Sequence, residues 1–268
     1  MTDKQYQMVD LLRIMTQLRH PEQGCPWDQQ QTFASIVPFT LEEAYEVADA
    51  IANEDWQALP SELGDLLFQV VFYAELGREQ NQFDFDDVVN RICHKLITRH
   101  PHVFGEQSER QLSEQQLKEN WERQKATERQ ARAQTSILDD IPKALPSLSR
   151  AVKIQKRVAR VGFDWHELAP VVDKVQEEIA EVLAEVAPDA PASAALKEEV
   201  GDLLFAVANL ARHLGVNPED ALQTANRKFE RRFQGVEQRV VASGKAFEEH
   251  TLESLEAFWQ QVKQTESK

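Results

Sequence analysis

Two short acidic motifs, each spaced to put its carboxylates on one side of a helix, occur twice in this chain in the same order. The first pair reads Glu42-Glu43-x-x-Glu46 and Glu62-x-x-Asp65; the second reads Glu177-Glu178-x-x-Glu181 and Glu199-x-x-Asp202. Residues three or four apart on a helix share a face, so Glu178 and Glu181 project together, as do Glu199 and Asp202. Two adjacent helices carrying such faces aim four carboxylates at one point. Glu43, Glu46, Glu62 and Asp65 form the equivalent set in the first copy.

A solvated acidic face is the ordinary explanation of clustered glutamates. Here Asp65 and Asp202 stand immediately before the apolar runs Leu66 to Ala74 and Leu203 to Ala211, which places them at the edge of a core. Carboxylates crowded there repel one another unless a cation neutralises them. An all-oxygen donor set suits Mg2+ or Mn2+ rather than zinc or copper. The chain has no Asp-rich loop with a central Gly, which excludes an EF-hand. It has no His three residues after these glutamates, which excludes a di-iron carboxylate bundle. Mg2+ keeps positions for water and substrate phosphates, so the cage predicts a phosphorylated ligand.

Each acidic set is followed by a basic pair and an aromatic–basic pair. These are Lys95-x-x-x-Arg99 with Trp121-x-x-x-Lys125, and Lys228-x-x-x-Arg232 with Trp259-x-x-x-Lys263. Glu178 follows Glu43 by 135 residues, Asp202 follows Asp65 by 137, Lys228 follows Lys95 by 133 and Trp259 follows Trp121 by 138. So small a drift marks an internal duplication. Lys228 and Arg232 opposite a carboxylate–metal cage suit a triphosphate, with surface cations on an acidic protein as the plainer alternative. Trp259 either stacks on a base or caps the core. Trp27 and Trp165, which also correspond, are read as packing anchors. His100 and His102 flank a proline and lack counterparts, so they read as loop anchors, and Cys25 as structural.

The elements that carry these motifs are helical. Leu11, Leu12, Met15 and Leu18 mark one apolar face; Leu41, Ala44, Tyr45, Ala48 and Ile51 mark another. Thr40 is the expected N-cap of the first acidic helix, with Glu43 completing a capping box. The runs after Asp65 and Asp202 are apolar almost all round, as in helices buried on most sides. No alternating β-branched run with hairpin turns is present. The expected fold is all-α, built from two tandem helical bundles. Residues 126–146 are polar and then proline-punctuated and serve as the expected linker, between domains spanning 1–125 and 147–268.

Composition sets outer bounds. The 268 residues suffice for two ordinary domains, and 42% apolar content supports a packed core. A net charge of −15 argues against a nucleic-acid or anionic-membrane surface, though not against a nucleotide held through cations. No apolar signal core or membrane-length run is present. Two cysteines, Cys25 and Cys93, are too few for a disulfide scaffold, and a cytoplasmic location is expected.

At these residues the chain resembles the MazG family within the all-α NTP pyrophosphatase superfamily. The hallmark is the EExxE motif followed by ExxD. The Gly24-Cys25-Pro26-Trp27-Asp28 and Arg99-His100-Pro101-His102-Val103-Phe104 segments are typical of the first of two tandem domains. The resemblance implies Mg2+-dependent hydrolysis of a nucleoside triphosphate to the monophosphate and pyrophosphate, with broad base tolerance, by an intertwined homodimer. It implies Glu178, Glu181, Glu199 and Asp202 as metal ligands, with Glu177 and Glu178 catalytic. It places nucleotide contacts on Lys174, Glu177, Glu198, Lys228, Arg232, Trp259 and Lys263, with Lys95, Arg99, Trp121 and Lys125 as the first-copy equivalents. Where the family has a lysine ahead of ExxD, this chain has Ala195, and Lys197 is the expected substitute.

The two copies differ in charge. Lys174 stands one turn before Glu178, where the first copy has Phe39 before Glu43; Lys197 precedes Asp202, where the first copy has Pro60 before Asp65. The second copy therefore carries more positive charge for phosphates and is the expected main catalytic centre.

Overall fold

The computed structural model describes residues 5–105, 113, 116, 136–186 and 191–266. The chain divides into two compact units, Met1–Glu128 and Arg129–Lys268. Among the described residues every regular element is helical, as an all-α fold requires. No described helix is long and apolar enough to cross a membrane. Trp121 and Lys125 lie outside the described residues.

The first unit contains α1 (Met8–Leu18), α2 (Pro26–Gln30), α3 (Phe33–Ala52), α4 (Leu59–Glu79), α5 (Phe85–Arg99) and α6 (Pro101–Phe104). α3 and α1 both pack on α4. Met15, Ile36, Val71, Phe72 and Leu76 form the core where they meet. Burying the large side chains of α4 on several sides explains its nearly continuous apolar sequence. The start of α3 differs from the sequence expectation. The cap is Thr32, whose side chain accepts from the Ser35 amide at 3.2 Å, while Ser35 Oγ accepts from the Thr32 amide at 2.8 Å. Thr40 is interior; its hydroxyl donates to the Ile36 carbonyl at 3.1 Å and meets the Tyr73 hydroxyl at 2.9 Å. Pro38 sits inside the helix without ending it.

The second unit contains α7 (Ser147–Ala159), α8 (Leu168–Ala184), α9 (Ala194–His213), α10 (Pro218–Ser243), a 3-10 turn (Phe247–Glu249) and α11 (Leu252–Glu266). α9 packs on α8 and α7, and α10 packs on α11. Ser193 caps α9 by accepting from the Leu196 amide at 2.9 Å, which fixes where Glu199 and Asp202 fall. α10 starts with Asn217 as cap and Pro218 at its first position, and ends at Gly244 with φ +71°, a left-handed residue that favours glycine. Gly235 lets α11 approach closely, since a Cβ there would stand 2.9 Å from Val262 Cγ2. Residues 136–140, within the expected linker, are held by Arg157, whose Nη1 donates to the carbonyls of Ile137 at 2.9 Å and Asp139 at 3.1 Å.

Phe72 is fully buried in the first core. Phe72→Ala is expected to destabilise that unit by about 3–5 kcal/mol. Denaturant unfolding monitored by circular dichroism measures this; a change well below that range means the site collapses around the truncation.

Candidate active site

Two acidic clusters form, one in each unit. In the second, Glu178, Glu199 and Asp202 bring one carboxylate oxygen each to within 4.8 Å of one another; in the first, Glu43, Glu62 and Asp65 do the same. α8 supplies Glu178 and α9 supplies Glu199 and Asp202, so the packing of those two helices creates the site. Glu181 and Glu46 are outside these trios but act on them. Burial and then the Glu181 charge, followed by Asp202 and Glu178, push the Glu199 carboxyl above its ordinary value. Burial and then Glu46 and Asp65 push up Glu43 and Glu62 in the same way. Mutual repulsion raises proton affinity, and it would equally favour a bound cation.

Glu178 is the most constrained member. It is 5% exposed, and its Oε2 is buried without a hydrogen-bond partner. Its Oε1 pairs with Lys174 Nζ at 2.7 Å, and the same ammonium pairs with Glu177 Oε1 at 2.8 Å. Those two carboxylates, Glu177 first, hold the lysine above its ordinary value, so it stays charged. A buried carboxylate oxygen with no donor, beside two further carboxylates, fits a hard divalent cation bound through oxygen. Zinc or copper would want nitrogen or sulfur ligands, and the trio offers none.

This cluster borders a cavity of about 600 Å3 in the second unit, whose lining includes Lys174, Glu178 and Asp202. Its remaining walls include Val171, Phe205, Ala206 and the exposed aromatics Phe163 and Trp165. The size is that of a small-ligand site. Trp165 thus lines the cavity, while Trp27 packs edge-on against Phe39 with ring centroids 5.6 Å apart, as an anchor does. Polar residues absent from the sequence reading also line it: Gln155, Asn209, Arg212 and Asp164. Asp164 Oδ1 accepts from Arg212 Nη2 at 2.6 Å and lies 3.0 Å from His213 Nε2. Arg212 foremost holds the Asp164 carboxyl below its ordinary value. One signal was available in sequence, because Asn209 is the single polar side chain in the run from Leu203 to Ala211.

The basic and aromatic residues gather elsewhere in the unit, on the α10–α11 hairpin. Arg231 Nε and Arg232 Nε donate to the two oxygens of Glu266 at 2.9 and 2.7 Å, and hold its carboxyl low. The Arg232 guanidinium lies 5.9 Å from the Trp259 ring centroid, and Phe229 packs on Trp259 at 5.1 Å. Trp259 also packs against the Val236, Val240 and Val262 core, so the capping alternative describes its present contacts. Lys228 is exposed on the same helix, and Lys263 lies on α11. None of Lys228, Arg232, Trp259 and Lys263 lines the cavity. Lys197 and Glu198 are exposed near the start of α9. In the first unit Lys95 is exposed and Arg99 half-buried on α5. His100 Nδ1 lies 2.7 Å from the Leu96 carbonyl and the residue joins α5 to α6, consistent with a loop anchor.

Residues 31–104 and 168–236 match the MazG nucleotide pyrophosphohydrolase domain. The chain is 58% identical over 256 residues to the nucleoside triphosphate pyrophosphohydrolase of Escherichia coli K12, covering 96% of this chain and 97% of that protein. It is 40% identical over 254 residues to the nucleoside triphosphate pyrophosphohydrolase/pyrophosphatase MazG of Thermotoga maritima, covering 95% and 94%. It is also 41% identical to the uncharacterized protein YabN of Bacillus subtilis, where 94% of this chain matches 51% of a longer one. Two domain matches in tandem, each containing one of the acidic clusters, make the chain a member of the MazG family.

Proposed function

We propose that this protein hydrolyses nucleoside triphosphates to monophosphates and pyrophosphate in a Mg2+-dependent reaction centred on the second unit. The observation that carries the reading is Glu178, buried with one oxygen unpartnered beside Glu199 and Asp202 and the other on Lys174; Lys174, Glu178 and Asp202 border a nucleotide-sized cavity. The names of the Escherichia coli and Thermotoga relatives support the same activity. We take 1–125 and 147–268 as two MazG-like domains and place the protein in cytoplasmic nucleotide-pool housekeeping, with broad base tolerance.

Glu178, Glu199 and Asp202 would hold Mg2+ with Glu181, and Glu43, Glu46, Glu62 and Asp65 would do so in the first unit. The ion, when bound, supplies charge neutralisation at the phosphates and a more acidic water. Lys174 offers a fixed positive charge to phosphate oxygens, and Glu177 orients that ammonium. Water attacks the α-phosphorus, the α–β bridging P–O bond breaks, and pyrophosphate leaves with the bridging oxygen. Lys228 and Arg232 offset charge developing on the departing group, and a phosphate must displace Glu266 to reach Arg232.

The two units share the acidic cluster but differ around it. At the position of Lys174 the first unit has Phe39, packed on Trp27; at the position of Asn209 it has the fully buried Phe72. The first cluster therefore lacks the lysine and the amide of the second, and we assign it a weaker or structural role.

A homodimer is the proposed assembly. The helices that build the site leave Ile179, Leu183, Val200, Leu204 and Val207 at least 40% exposed, apolar side chains that a second copy would bury. Carrying Lys228, Arg232, Trp259 and Lys263 onto the substrate also requires a hairpin to approach each carboxylate cluster, and a second copy can supply it.

Three outcomes test this reading. Glu178→Gln is expected to lower turnover about a hundredfold or more, while Glu43→Gln leaves it near wild type; the reverse pattern moves catalysis to the first unit. In 18O-water the same assay should label the monophosphate, and label in pyrophosphate contradicts attack at the α-phosphorus. Light scattering after size exclusion should give twice the chain mass; a monomer that is fully active removes the dimer.

The pH dependence of stability supplies a further test. The folded Glu199 carboxyl binds its proton more tightly than the unfolded one, for the reasons given above. The folded state then holds more protons across the window between the ordinary and the raised value. Its stability falls as pH rises through that window and stays lowered above it. Mg2+ binds the ionised form, so the Tm gain from millimolar Mg2+ should be larger at about pH 8 than at about pH 5. Glu199→Gln should raise the ion-free Tm at about pH 8 and leave it nearly unchanged at about pH 4. A Mg2+ shift of equal size at both ends rules out these carboxylates as its source.

A further inference from the structure

We infer that the cavity of the second unit is a nucleobase site in which the Gln155 carboxamide oxygen accepts a hydrogen bond from the base edge. The inference rests on the triphosphate reading above and names which residue reads the base.

Gln155 is a polar side chain on the buried face of α7, 5% exposed, and it lines the cavity together with Phe205, Asn209 and Trp165. Its Nε2 donates to the Phe205 backbone carbonyl at 2.8 Å. Turning the amide over would set two carbonyl oxygens against each other, so that bond fixes Oε1 as the outward atom. Oε1 is buried and has no hydrogen-bond partner. A buried acceptor without a donor is destabilising, and a ligand N–H removes the cost. Asn209 is prepared from the other side. Its Oδ1 accepts from Arg212 Nε at 2.9 Å and Nη2 at 2.8 Å, and Arg212 is itself fixed on Asp164. The clamp occupies the Asn209 acceptor, so a ligand bond at this side chain would fall to its Nδ2 donors.

The lining thus offers one oriented acceptor, one oriented donor and aromatic walls, with Lys174, Glu178 and Asp202 supplying the charged part. That division matches a nucleoside triphosphate: an aromatic ring with polar edges at one end and phosphates at the other. Adenine, cytosine, guanine and uracil each carry an N–H donor beside an acceptor on the Watson–Crick edge. A single amide acceptor of this kind accommodates all four. It does not accommodate a base whose edge has no N–H.

The test compares ATP with purine riboside triphosphate, which lacks the 6-amino group and has no N–H on that edge. Both are assayed with Mg2+ on the full chain, and Kd is measured in parallel by calorimetry with Ca2+ replacing Mg2+ to slow turnover. Wild type should favour ATP about tenfold or more in both kcat/KM and Kd. Gln155→Met, of similar length, should reduce that preference to near unity, chiefly through weaker binding of ATP, while the Mg2+-induced Tm shift remains. A wild-type preference near unity overturns the inference, as does a preference that survives in Gln155→Met. The wild-type ratio needs no variant, so it decides the matter even if Gln155→Met fails to fold. If neither nucleotide is hydrolysed but the binding ratio holds, the pyrophosphohydrolase reading fails and the base site stands.

Discussion

A carboxylate buried against other carboxylates is the constraint on which this molecule depends. Glu178 has one oxygen on an ammonium and the other on nothing, with Glu199 and Asp202 close by. Burying an ion is tolerated only where compensation is close and well aimed, and removing one partner of such a pair is strongly destabilising. Lys174 compensates half of Glu178. The packing of α8 on α9, set by the Ser193 cap and by apolar residues beneath, prevents the carboxylates from relaxing into solvent. The helical frame therefore holds a charge imbalance in place, and affinity for a divalent cation follows from that imbalance.

Duplication let one backbone plan be used in two ways. The first unit fills its interior: Met15, Ile36, Val71 and Phe72 make a dense core under α3 and α4. In the second unit the matching positions of Ile36, Val71 and Phe72 are Val171, Ala208 and Asn209, each smaller or more polar. Val171 and Asn209 line a cavity of about 600 Å3. Phe39 and Lys174 complete the contrast, one packing on Trp27 and the other meeting Glu178. Volume given up in the second interior costs packing energy, as functional cavities usually do, and the first unit keeps the packing.

The helical period made much of this legible in sequence. A spacing of three or four residues is sufficient to place Glu178, Glu199 and Asp202 on facing surfaces, and the trio does assemble. The same logic missed the start of α3, because Thr40 with Glu43 three residues on mimics a capping box while Thr32 and Ser35 cap the helix eight residues earlier. It also missed Gln155 and Arg212, whose roles come from contacts 50 and 48 residues away, with Phe205 and Asp164. Lys228 and Arg232 were legible as a pair, but not the engagement of Arg232 with Glu266, 34 residues beyond it. Periodicity reports which face a residue is on. What that face meets depends on tertiary packing, which a single sequence encodes only indirectly.

Three cations of the second unit share one feature: Lys174, Arg231 and Arg232 are each held by carboxylate. Lys174 is on Glu177 and Glu178, and Arg231 and Arg232 are on Glu266. Free long side chains lose considerable rotamer entropy on binding a ligand, and a resident carboxylate orders them beforehand. Phosphate oxygens accept in nearly the same geometry as carboxylate oxygens, so exchanging one for the other conserves charge-assisted hydrogen bonds. A cation drawn to Glu178 would also weaken its hold on Lys174, because both positive charges compete for the same oxygens. On the proposed reading, metal and phosphate binding would be coupled through a single side chain: the carboxylate that receives the ion would be the one that releases the ammonium.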